Sequence, residues 1–150
     1  VLLVRRGDQI WVVKDFAPRG PWVRRWLAPR IQRREVRALE ALAGHPAVPR
    51  FRGWVDPLAF AVAYRPGRRM SRKLRGQVPA DFLERLEEAV AAMHRRGVVH
   101  MVDAQGDPVL IDFGSALTFR PGSLGARWLP PWLARLDRAA LEKWRVRVGA

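Results

Sequence analysis

The first third of the chain alternates apolar stretches with short polar breaks. The opening VLLVRRGDQIWVVKDF holds two apolar runs separated by RRGD, with Gly7 and Asp8 where a tight turn belongs, and predicts a β-hairpin whose second strand ends at Lys14. After breakers at Pro18, Gly20 and Pro21 the period changes. Ile31, Glu35, Ala38, Leu39 and Leu42 fall at helical spacing between Pro29 and Ala43, and Gly44 stops the run. A carboxylate, Glu35, therefore lies inside an apolar stripe, where it is costly unless it meets a cation. Glu40 falls off the stripe. The stretch HPAVPRFRGWVDPLAFAVAY interrupts short apolar runs with prolines and a glycine, which predicts two further strands before the polar RPGRRMSRKLRG.

From Pro79 the pattern is strongly amphipathic. Phe82, Leu83, Leu86, Val90 and Met93 define one helical face, Glu84, Arg85, Glu87 and Glu88 point outward, and Gly97 terminates the helix. Then come VVH and VDAQGDPVLIDFG, in which apolar runs flank the turn-forming AQGDP and predict a strand pair. A last helix is predicted over PPWLARLDRAALEKWRVRV, with Trp132, Leu133, Leu136, Ala140 and Trp144 along one side. No internal repeat or low-complexity linker interrupts the series, so the expectation is one α+β domain.

Composition narrows the function classes. With 150 residues and 49% hydrophobic content, the chain can bury a core of its own. It has no cysteine, which excludes disulfides, thiolate metal sites and a cysteine nucleophile. His45, His94 and His100 are too scattered to suggest zinc. No apolar run approaches the roughly 20 residues of a membrane span, and the first residues lack the layout of a signal peptide. The expected location is cytoplasmic, with the inner-membrane surface as a second possibility. A formal charge of +14 attracts polyanions such as nucleotides, nucleic acid or anionic lipid. The excess is concentrated in one arginine cluster from Arg19 to Arg37 and another from Arg65 to Arg75. PWVRRWLAPRIQRR sets Trp22 and Trp26 beside arginines, as membrane-interfacial segments do; buried tryptophan with solvated arginine is the preferred reading of that segment.

The order of these parts, ending in Asp-Phe-Gly, resembles a protein kinase. VVKDF resembles the strand carrying the ATP lysine, REVRALEALAGHPAVPRFRG the αC helix and following strand, AVAYRPG the hinge, MHRRGVVH the run into the catalytic loop, and VLIDFGSA the metal-binding segment. The chain is similar to the small bacterial lipopolysaccharide-kinase-like and RIO-like types. The resemblance implies a small antiparallel-sheet N-lobe with its αC helix over residues 1–64 and a reduced, mainly helical C-lobe over 65–150. It implies ATP and Mg as cofactors. Lys14 would neutralise the α and β phosphates while held by Glu35, main-chain groups from Ala63 to Arg65 would take adenine beside Val62, and Asp112 would hold the magnesium. The acceptor would be a protein or lipopolysaccharide-type sugar hydroxyl.

Two parts of the kinase pattern are absent from the sequence. His100 marks the start of the catalytic loop, yet the strand pair resumes at once, so about nine residues that should carry the catalytic aspartate and asparagine are missing. Asp103 matches the strand after that loop and is not the base. No glycine-rich phosphate loop precedes VLLVRRGDQ, and the N-terminus reads as truncated. Three functions follow: an active phosphotransferase, a pseudokinase or nucleotide-binding remnant without a group to deprotonate the acceptor, or a basic module for nucleic acid or anionic membrane.

Overall fold

The computed structural model describes residues 1–66, 79–99 and 117–118, together with Ala139, Glu142, Arg145 and Val146. They form an α+β arrangement, a four-stranded antiparallel sheet with two helices packed on it. The hairpin pairs β1 (Leu2–Arg6) with β2 (Gln9–Asp15) in the register Leu2↔Val13 to Arg6↔Gln9. Its two-residue turn needs a left-handed first position, and Gly7 supplies it at φ 59°.

The helix expected from Pro29 forms as α1 (Ala28–Ala41), two residues short of Ala43 because its last turn tightens: Ala43 N–H donates to Glu40 O at 3.1 Å. It is preceded without a break by a π-helical turn, Val23–Leu27, in which Ala28 N–H reaches back to Val23 O. Pro29 explains the widening. It has no N–H to offer the carbonyl four residues back, and its ring crowds that carbonyl. Arg30 donates a side-chain bond to Trp26 O at 2.9 Å on the same turn. Trp22 is 68% and Trp26 51% exposed, so the expectation that these tryptophans are buried fails. Both lie on the turn ahead of α1, before the helix reaches the sheet.

β3 (Phe51–Asp56) and β4 (Ala59–Ala63) complete the sheet in the order β1-β2-β4-β3. Alternation then sorts the side chains. Phe60 and Val62 of β4, with Val12 of β2, face the core that Val36 and Leu39 of α1 share with Phe82, Leu86 and Met93 of α2 (Phe82–Arg95). Each large apolar side chain fully buried there contributes roughly 1.5–3 kcal/mol. Trp11, Val13, Ala59 and Ala61 form a smaller cluster on the opposite face. α2 ends at Gly97, whose φ of 74° closes the helix as expected.

Beyond α2, β5 (Val98–Val99) pairs antiparallel with β6 (Leu117–Thr118), and β6 lies against α1. The strand pair expected across VDAQGDPVLIDFG lies outside the described residues. Of the expected last helix, Ala139, Glu142, Arg145 and Val146 are helical, and Arg145 pairs with Glu87 of α2.

Candidate functional site

Lys14 sits near the end of β2, opposite Phe60 of β4, and two positions after Val12, so it projects from the core-facing side of the sheet toward α1. Glu35 stands on the stripe of α1 between Gln32 and Leu39, all three buried. The two elements meet through a direct ion pair, Lys14 Nζ donating to Glu35 Oε1. The pair is asymmetric. The Glu35 side chain is 3% exposed and that of Lys14 20%, so the carboxylate is sealed while the ammonium keeps an open side. An ammonium has three donors. One is committed to Glu35, and the accessible side can meet an anion. Glu40 is exposed, as its position off the stripe implies.

One residue of this neighbourhood escaped the sequence reading. Gln32 is fully buried, three residues before Glu35 on the same helix. Its Nε2 donates to Leu58 O at 2.5 Å, tying α1 to the turn between β3 and β4, and its Oε1 has no partner among the described residues. Gln32 falls four residues after the buried Ala28, which was the available signal.

The segment read as a hinge lies at the exit of β4. The amides of Ala63 and Tyr64 are consumed inside the fold, donating to Arg50 O at 2.8 Å and to Ile10 O at 3.0 Å. Arg65 is the first residue past those bonds, and its guanidinium is tied to Pro46 O. Any main-chain donor for a base on this segment therefore falls to Arg65 rather than to the two residues before it. Tyr64 is 38% exposed and takes no part in the core. His100 and Asp112 lie outside the described residues. The short β5–β6 pairing joins the chain immediately before His100 to the chain five residues after Asp112. Among the described residues no group of three His, Asp or Glu could hold a metal ion.

His45 follows α1 and is 5% exposed. Its Nδ1 accepts from Ala47 N–H at 3.2 Å. Burial lowers its pKa, the charges of Arg96 and then Arg95 act in the same direction, and a backbone hydrogen bond at Ala89 opposes them. His45 is thus a neutral clamp between the loop and α2.

No family model matches the chain, and no curated protein matches it. No described helix is long and apolar enough to cross a membrane.

Two outcomes follow from this geometry. Glu35→Ala strands a partly buried ammonium and costs about 1–3 kcal/mol in urea unfolding, less than a fully sealed pair because Lys14 retains solvent; the double change Lys14→Met with Glu35→Leu recovers most of that loss. The second concerns pH. The unfolded chain protonates His45 near its ordinary value of 6.5, whereas the folded chain resists to lower pH. Between the two values the unfolded state binds more protons, so stability falls as pH drops below 6.5 and levels off beneath the folded value. His45→Gln flattens this part of the profile, measured as the difference between the wild-type and variant urea midpoints across the acid range.

Proposed function

We propose that the chain is a kinase-like, ATP-dependent phosphotransferase of small N-lobe and reduced C-lobe, acting on a protein or lipopolysaccharide-type sugar hydroxyl in the cytoplasm. The observation that carries the reading is the Lys14–Glu35 pair, a strand lysine fixed by a sealed helix carboxylate with its other side open. The order of the sheet, with α1 crossing from β2 to β3 and β6 lying against α1, is compatible with it. Lys14 would bear on the α and β phosphates, Glu35 would hold Lys14 in position, and Arg65 would offer a main-chain donor to the base. Asp112 would hold a magnesium ion, whose chemistry is to neutralise charge on the transferring phosphoryl group. Because the sequence after His100 lacks the catalytic-loop aspartate and asparagine of the kinase pattern, a pseudokinase that binds nucleotide without efficient transfer is the companion outcome.

Calorimetry with ATP and magnesium tests this reading. Binding by the wild-type chain, lost about tenfold or more in Lys14→Ala and in Asp112→Asn, supports a nucleotide site of this kind. Turnover in a hydrolysis assay then separates enzyme from pseudokinase, and no binding at all removes both.

A second reading is favoured by one observation, the exposure of Trp22 and Trp26 beside Arg24, Arg25 and Arg30. Aromatic rings and guanidinium groups displayed together suit an anionic bilayer surface, and such docking is compatible with a membrane-linked acceptor. Sedimentation with vesicles of phosphatidylglycerol and phosphatidylcholine checks it. Trp22→Ala with Trp26→Ala lowers the bound fraction at constant salt, and equal binding to pure phosphatidylcholine vesicles speaks against it.

A further inference from the structure

Away from the Lys14–Glu35 pair, a cavity of about 870 Å³ opens between the loop that follows α1, the exit of β4 and one side of α2. Among the described residues its charged and titratable lining is His45, Arg65, Arg85, Glu88, Arg95 and Arg96, and alanines and prolines make up the rest. Among the described residues four arginines and one glutamate thus line it, a formal excess of three positive charges around a concave space of small-molecule size. Neither Lys14 nor Glu35 contributes to it.

The arrangement is built rather than incidental. Arg96 donates to Ala43 O at 3.0 Å and Arg65 to Pro46 O, so two of the four are held in place by neutral carbonyls that leave their charge uncompensated. Arg85 is shared with Asp81 on its own helix at 3.2 Å. Arg95 is exposed and has no hydrogen bond or ion pair among the described residues. His45 reports the field inside: it is kept neutral beside Arg95 and Arg96, with Ala47 N–H on its Nδ1. Like charges gathered around one concavity repel one another, and a multivalent anion converts that repulsion into attraction. Planar guanidinium forks match phosphate oxygens better than a point charge does. A concavity of this size has room for a compact anionic group.

We propose that this cavity binds a small, multiply charged phosphate anion, gripped by Arg65, Arg95 and Arg96. The site is independent of the nucleotide reading above. An anion so placed also stabilises the His45 imidazolium, so occupancy and the protonation of His45 are linked. The groups that face His45 are Arg95, Arg96 and the Ala89 backbone on α2 and Ala47 N–H on its own loop, while Arg65, Arg85 and Glu88 line the same cavity.

The test is a proton NMR titration of the whole chain with inorganic pyrophosphate at fixed ionic strength, with the His45 signal assigned by its loss in His45→Gln. Pyrophosphate is expected to raise the His45 titration midpoint. Arg95→Glu is expected to weaken pyrophosphate binding about tenfold and abolish the midpoint shift, and Arg65→Ala to weaken it in the same direction. Lys14→Ala is expected to leave the midpoint shift unchanged. Arg24→Ala with Arg25→Ala, which removes as much charge as Arg95→Glu at a distant surface, is likewise expected to have no effect. The proposal is overturned if the His45 midpoint does not move, if the Arg24 and Arg25 change weakens binding as much as Arg95→Glu, or if only Lys14→Ala abolishes binding. Arg95 stands in the last turn of α2 and acts on His45 by charge, so Arg95→Gln, which removes the cation without adding an anion, is measured beside Arg95→Glu, and each variant's urea midpoint is compared with that of the wild type; loss of the shift at an unchanged midpoint supports the site, and an unchanged shift in both variants overturns it.

Discussion

The ion pair between Lys14 and Glu35 is the contact on which the meeting of the first helix and the sheet most depends. The apolar face of α1 would tolerate small shifts along the core that Phe60, Val62, Leu86 and Met93 provide, since dispersion and burial carry little direction. Glu35 does not tolerate them. Its carboxylate is sealed, and the position that brings it to Lys14 compensates its charge among the described residues. The same pair constrains the strand, because a slip of β2 by one residue against β4 would carry Lys14 to the opposite face of the sheet. Gln32 adds a second tie, from α1 to Leu58 in the β3–β4 turn, at the same end of the sheet as Lys14. Hydrophobic burial thus holds the layers together, and two polar side chains on one helix set their register.

Around that junction the chain is arranged by the strength of its local signals. The hairpin was legible because its turn needs a left-handed residue and Gly7 stands there; α2 was legible because five apolar residues recur on one face and a glycine closes it. Glu35 could be singled out by cost alone, a carboxylate on a stripe that would otherwise be apolar. Three features were not legible. The π-helical turn arises from the backbone consequences of Pro29, which hydrophobic periodicity does not register. Gln32 reads as an ordinary polar residue until the tertiary fold brings Leu58 to it. β6 is two residues long and takes its identity from its partner Val98–Val99, so no local pattern could announce it. The tryptophans ahead of α1 were misjudged because aromatic content predicts burial on average, and here the helix meets the sheet only after they have passed.

The positive charge of the chain divides into kinds with different surroundings. Arg24, Arg25 and Arg30 stand in solvent beside indole rings, with Arg25 5.8 Å from the ring centre of Trp26. Arg65 and Arg96 are anchored on carbonyls around a concavity. Lys14 is the one cation shown paired with a sealed carboxylate of another element among the described residues. A formal net charge describes none of these separately, although solvent, salt and ligands act on each differently.

The π-helical turn has a consequence for how its two neighbours face. An α-helix advances about 100° per residue, and a turn closed over five residues instead of four absorbs one residue of that advance. The turn therefore works as a phase adjuster. It lets the stripe of α1 keep Glu35 toward the sheet while the segment before it carries Trp22 and Trp26 outward. Were the turn to relax into regular helix, the aromatic segment and the buried carboxylate would change their relative bearing by about a quarter of a revolution, so the outward display of the tryptophans and the inward setting of Glu35 are two results of one backbone irregularity.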